Sequence, residues 1–456
     1  MLLKRRDALL TALFGTGGVG LRALATGLPA WFIANPRSAS AQALECAIMA
    51  KEKLQYLVLS TSSAGDPMNC NVPGTYEAPA IIHPTQATMA PAMVTLGGKT
   101  YGCALPWADT AAGGALSAAT LSRTAFLHHT TRSTVHGDQP KVMKLLGALT
   151  GGEMAVSAMA KHLSGCLGTV QPEPLAVGAR GNASELVSYA GRTLPSVSPT
   201  QLKQLLTGNR NDPLVRVRNL RDQALDQLNA MAKTDSTNVQ KAFLDAMALS
   251  QQQVRKLVEQ LATTLNAINS DDARGQALAA AALISANVTP VVTMRIGFGG
   301  DNHTDTDLAN EAAQHVTGCQ AIQAVQDALG MLSLTDKVTF ATLNVFGRNL
   351  NGIAKTDGRT GRDHYGNHAV TVMIGKNVAP GVYGGVAQGS SAAFLASAID
   401  SATGAPNAGG DIPVAQTHVS AIRTLGVALG IPEDRFNTSF TQSAGGKVVR
   451  AAVTGV

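Results

Sequence analysis

Three short apolar runs in the C-terminal half constrain this chain more than any other feature. Residues 291–296 lead into the glycine turn Gly297-Phe298-Gly299-Gly300 and then into Asp301-Asn302-His303. Residues 338–345 end in Phe346-Gly347-Arg348-Asn349. Residues 370–374 follow the cluster Gly361-Arg362-Asp363-His364-Tyr365-Gly366-Asn367-His368 and close on Gly375. Runs of this length bounded by glycine read as buried strands, so the chain is expected to form an open α/β sheet. Sites in such sheets lie in the crevice outside the carboxyl ends of strands, and each polar cluster stands at or beside a strand end. Carboxylates and imidazoles arriving there from separate strands are the groups that converge on a divalent cation. Asp301, His303, Asp363 and His364 are the candidates, with His368 as an extra.

Further strands are expected upstream, including a short one at residues 174–178. Residues 54–60 are followed by Gly65-Asp66-Pro67-Met68-Asn69, where Asp66 reads either as an Asx-turn residue before proline or as a further metal ligand. Residues 124–129 are followed by Ser133-Thr134-Val135-His136 and a helical pattern from Lys141. A hydroxyl at such a strand-to-helix turn is either a helix cap or a group facing an anion at the helix N-terminus. His128 and His129 read as packing residues. Arg348 reads either as a bidentate holder of an anionic group or as a salt-bridge partner at its strand end. Apolar stripes at helical spacing mark a helical insertion over residues 199–287, leaving 42–198 and 288–456 as the α/β domain. An edge strand is expected at residues 447–453.

The combination Gly-Gly-Asp-x-His at 299–303, Phe-Gly-Arg at 346–348, Gly-x-Asp-His at 361–364 and Gly-Val-Tyr-Gly at 381–384 resembles the bacterial family catalogued as domain of unknown function 1501. The likeness extends over about residues 57–429. It implies twin-arginine export and a fold like that of the alkaline phosphatase and sulfatase superfamily, a mostly parallel sheet flanked by helices. It also implies a divalent metal (zinc, manganese, magnesium or calcium) acting on a small anionic ester of phosphate or sulfate. Ser133 or Thr134, with His136, would then be catalytic, Asp66 a metal ligand, and Arg348 and Asn69 substrate-binding. Two departures stand against a complete site. Where the family commonly has Ser-Glu-Phe-Gly-Arg, this chain has Asn344-Val345-Phe346-Gly347-Arg348, and Gly300 replaces a tryptophan before Asp-x-His. Valine neither ligates a metal nor exchanges a proton, so a non-catalytic periplasmic binding or assembly protein is the rival expectation.

The N-terminus carries the paired arginines Arg5-Arg6, an uncharged run over residues 8–21 and the small-x-small sequence Ala39-Ser40-Ala41. That is the form of a twin-arginine signal cleaved near Ala41, which predicts the twin-arginine translocase as a partner and a periplasmic or secreted product. Residues 1–41 hold a net charge of +4, so the +6 of the whole chain falls to +2 after cleavage. With no basic tract interleaved with aromatics, nucleic-acid binding is not expected. No later stretch approaches the roughly 20 uninterrupted apolar residues of a membrane span. Five cysteines stand outside any CxxC pair, and their pairing is not legible in the sequence.

Overall fold

The computed structural model describes residues 51–169, 171–178, 187–194, 196–207, 261–354, 360–389 and 393–455, with a few helical residues between 223 and 234. The signal expected at residues 1–41, its cleavage near Ala41 and most of the helical segment between 208 and 260 lie outside the described residues.

Eight strands form one sheet: β1 (Tyr56–Ser62), β2 (Thr124–His129), β3 (Leu175–Val177), β4 (Ser196–Val197), β5 (Val291–Met294), β6 (Val338–Asn344), β7 (Ala369–Ile374) and β8 (Gly381–Tyr383). Their order is β4-β3-β5-β1-β6-β7-β2-β8. Every strand runs parallel to its neighbours except β7, which is antiparallel to both β6 and β2. The central strands are apolar on both faces, as a sheet covered on both sides requires. Leu57, Leu59 and Leu343 face one layer of helices, which includes α1 (Ala155–Leu167) and α4 (Thr417–Ala428). Val58, Val292 and Phe340 face the other, which includes α2 (Ala273–Ser285) and α3 (Ala309–Met331). Residues 275–284 of α2 are all buried, so the last helix of the segment expected as an insertion belongs to the layer that covers the sheet.

Two expected strands end differently. The run at 291–296 leaves the sheet at Met294, because side chains capture the next amides: Arg295 N–H donates to Gln276 Oε1 and Ile296 N–H to Ser60 Oγ. Residues 447–453 do not form an edge strand. They contain a 3₁₀ turn at Arg450–Ala452 and a single bridge from Val453 to Val378. Among the described residues, no helix is long and apolar enough to cross a membrane, and Cys70, Cys103 and Cys319 are buried free thiols.

The direction of β7 decides where the polar clusters meet. The parallel strands β1, β2, β5 and β6 send the loops at 63–66, 130–136, 295–303 and 345–348 out at their carboxyl ends. Because β7 runs the other way, residues 361–368 enter it at that same edge.

Candidate metal centre

Four side chains converge at the carboxyl edge. Asp301 Oδ1 lies 3.1 Å from His303 Nε2 and 3.6 Å from His364 Nε2, and Asp301 Oδ2 lies 3.6 Å from His136 Nε2. His303 Nε2 and His364 Nε2 are 2.9 Å apart. Each imidazole turns its other nitrogen outward. His136 Nδ1–H donates to Ser63 O at 2.7 Å, His364 Nδ1–H to Thr134 O at 2.7 Å, and His303 Nδ1–H to Asp363 Oδ1 at 3.1 Å. A backbone carbonyl can only accept, so in the neutral rings of His136 and His364 Nε2 is the bare acceptor, and an ionised Asp363 sets His303 the same way.

Three Nε2 atoms therefore face one carboxylate, an arrangement that a proton or a metal ion would satisfy. A proton on one ring would bridge His303 and His364 but leave His136 facing Asp301 Oδ2. A metal ion would serve His136, Asp301 and His364 together, with His303 beside the last two. Ligand bonds of about 2.0–2.2 Å place neighbouring donors of a tetrahedral site about 3.3–3.6 Å apart, and the four contacts above span 2.9–3.6 Å. The donor atoms of His136, Asp301 and His364 all lie within 4.8 Å of one another. An outward Nδ1–H held by a carboxylate or carbonyl is the outer support usual for metal-ligating histidines. Side chains of Asp301 and His136 are 53% and 39% exposed, which leaves the cluster open on one side.

Local electrostatics suit ligation. Burial acts to raise the Asp301 carboxyl, but the hydrogen bond and charge of Arg348, with His303 and His136, outweigh it and hold the group below its usual value. Burial lowers His364, against the Thr134 carbonyl, and Arg348 and the neighbouring imidazoles lower it further. Both shifts favour the unprotonated forms that a metal ion takes.

Buried polar groups place these loops. Arg348 is fully buried and its donors are committed: Nε to Gly65 O, Nη1 to Arg362 O, and Nη2 to Ala64 O, Gly300 O and Asp301 Oδ1. It ties the β1 and β5 loops to residues 361–368. A two-residue ladder sets Arg348 directly opposite His364. Glu311, at the start of α3, accepts from Asn71 Nδ2, Asn302 Nδ2 and Arg362 Nε, each at 2.7 Å, and neither Glu311 nor Arg362 is exposed. This buried pair fixes Asn302, between Asp301 and His303, and Arg362, next to Asp363. Phe346 closes the inner side, 4.5 Å from the His364 ring and 5.1 Å from that of His136, centroid to centroid. Gly65 has φ +62°, and a Cβ there would come within 1.7 Å of the Phe346 ring. Glycine is required on both counts.

The structure thus brings together Asp301, His303 and His364 of the expected ligands, with Asp363 behind His303, and adds His136, which was expected in a catalytic role. It places the others elsewhere. Asp66 is buried, and its Oδ1 accepts from the amides of Phe298 and Gly300, bracing the glycine turn. His368 is also buried. Asn69 Nδ2–H donates to His368 Nδ1, so His368 Nε2–H donates to His128 Nδ1 and His128 Nε2–H to Pro73 O, at 3.0–3.1 Å throughout. Asn69 is a buried clamp on the backbone of Arg348, accepting its N–H and donating to its carbonyl. Ser133 Oγ donates to Asp138 Oδ2 at 3.0 Å and accepts from Val135 N–H, the turn-capping alternative. Exposed Thr134 contributes its carbonyl. Arg348 takes the salt-bridge alternative, and Val345 packs with Val142 and Phe346. Sequence reasoning missed Glu311 and Asn302, which carry no local signal, and missed His136 as a donor although it follows a predicted strand.

Fold and cluster define an α/β protein with a cluster of histidines around an aspartate at the edge of a mostly parallel sheet. The chain belongs to the family described as protein of unknown function (DUF1501), whose model matches residues 154–399. That span holds Asp301, His303, Arg348, Asp363 and His364, while His136 precedes it. Neither the curated proteins nor the solved structures contain a match to this chain.

Proposed function

We propose that this is an exported, metal-dependent hydrolase of a small phosphate or sulfate ester, built on an alkaline-phosphatase-like sheet. It would use one divalent cation, held by His136, Asp301, His303 and His364. The carrying observation is the convergence of three Nε2 atoms on Asp301 while every Nδ1 is held from outside. An imidazole-rich set with one carboxylate favours zinc over manganese, magnesium or calcium. The eight-stranded sheet, its helices on both faces and the cluster at the strand ends support the fold assignment.

The bound cation would supply Lewis-acid polarisation of a phosphoryl or sulfuryl oxygen. Arg348 keeps Asp301 anionic, and Asp363, Ser63 and Thr134 fix the ring orientations. Phe346 excludes water from the inner side. With Ser133 committed to Asp138, water is the nucleophile. The test is to strip the purified chain of metal and titrate zinc, manganese, magnesium and calcium while following stoichiometry and melting temperature. Phosphate and sulfate esters are then assayed. One zinc per chain, with turnover lost in Asp301→Asn, supports the reading; no metal uptake refutes it.

A non-catalytic periplasmic binding or assembly role is the second reading. It is favoured by Val345 lying in an apolar cluster and by Arg348 having its guanidinium committed to the protein. One bound zinc with no turnover of any ester would select it.

A further inference from the structure

We propose that Arg132 recognises the anionic group of the substrate, an inference that rests on reading the site as a hydrolase of an anionic ester. A phosphate or sulfate group carries charge over several oxygens, so a cation on one of them leaves others to be held. The planar guanidinium fork matches that geometry bidentately. Arg348, the residue whose sequence setting suggests this role, is fully buried and bonded to four backbone carbonyls and Asp301.

Arg132 stands in the opposite condition. It is exposed, and among the described residues its side chain makes no hydrogen bond or ion pair. Lys141, another cation following β2, is already paired with Asp138 at 2.6 Å. Asp138 also accepts from Ser133, so the carboxylate nearest in sequence is engaged elsewhere.

The backbone fixes Arg132 at the rim of the cluster. Thr131 N–H and Arg132 N–H both donate to Gly366 O, at 2.9 and 2.8 Å, two residues beyond His364. Two residues further along the same loop, Thr134 O holds His364 Nδ1 at 2.7 Å, and His136 follows as a donor to the cluster. A Cβ on Gly366 would come within 2.5 Å of Ser133 O, so this loop is packed tightly on the strand that carries His364. Arg132 itself has φ +55°, a left-handed conformation uncommon for a non-glycine residue and found disproportionately at ligand sites. The loop that supplies His136 and the Thr134 carbonyl thus also carries an exposed guanidinium with no partner among the described residues.

The test titrates sodium sulfate by calorimetry into wild type, Arg132→Gln and Arg132→Lys, each as the full chain in zinc-free and zinc-loaded form. Wild type is expected to bind sulfate. Arg132→Gln should weaken binding about 10- to 100-fold, with Arg132→Lys between, as loss of a charge-assisted pair and then of its fork geometry implies. Zinc affinity should be unchanged in both variants. Equal sulfate affinity in wild type and Arg132→Gln, or no sulfate binding by wild type in either form, overturns the proposal. Should the variants fail to fold, phenylglyoxal modification of wild type with peptide mapping gives the answer. Sulfate should protect Arg132, and equal modification with and without sulfate overturns it. Failure to take up zinc removes the hydrolase reading, while the zinc-free titration still decides Arg132.

Discussion

Replacing Glu311 by glutamine tests whether one buried ion pair organises the proposed metal centre. Glu311 and Arg362 are both fully buried, 2.7 Å apart, and Glu311 also accepts from Asn71 and Asn302. Glutamine preserves the shape but removes the charge and turns one oxygen into a donor. That donor must then face the amide of Asn71, or the amide of Asn302 and the guanidinium of Arg362. Breaking a buried pair while leaving its partner charged costs about 3–5 kcal/mol. At about 1 °C per kcal/mol for a chain of this size, melting should fall by about 3–5 °C. Because Asn302 lies between Asp301 and His303, and Arg362 beside Asp363, zinc affinity should also fall about 10- to 100-fold, the usual range for loss of an outer support. Scanning calorimetry of metal-free protein gives the first number and competition with a chelating dye gives the second. A melting temperature within about 1 °C of wild type would refute the energetic reasoning. A large melting change with unchanged zinc affinity would show that the pair holds the fold but does not place the ligands.

Three other outcomes follow from the same geometry. Asp363→Asn should weaken zinc binding about 10-fold or more, since it changes the group that holds His303 Nδ1; equal dye-competition constants would contradict this. Burial holds His128 and His418 at about 4 and His129 at about 3, below the about 6.5 of an unfolded histidine. Unfolded chains therefore bind the extra protons as pH falls below about 6.5, so stability is full above that pH and is lost toward pH 4, by up to about 1.4 kcal/mol per pH unit for each ring. Urea midpoints that stay level from pH 7 to 4.5 would count against it. Finally, changing Arg5 and Arg6 to lysine should leave precursor in the cytoplasm; immunoblots showing normal export and processing would remove the twin-arginine assignment.

What could be read from the sequence, and what could not, divides along a physical line. Buried strands announce themselves because they are apolar on both faces, and so β1, β2, β5, β6 and β7 are visible as runs. Their direction is not visible, since the pattern reads alike both ways along the sheet. Yet the reversal of β7 is what carries His364 and Asp363 to the edge where Asp301 and His303 emerge. Residue types nominate ligands but do not rank them, because the competing partners are largely backbone atoms. Asp66 and Asp301 are both aspartates beyond strand ends. The amides of Phe298 and Gly300 claim the first, and only folding brings those amides to it. His136, His364 and His368 are likewise indistinguishable as letters. The carbonyls of Ser63 and Thr134 take Nδ1 of the first two and leave Nε2 facing the cluster, whereas the Asn69 amide donates to Nδ1 of His368 and sends its proton inward to His128. Whether a histidine could serve as a ligand here therefore depends on whether its outer nitrogen meets an acceptor or a donor, and that partner is supplied by the fold.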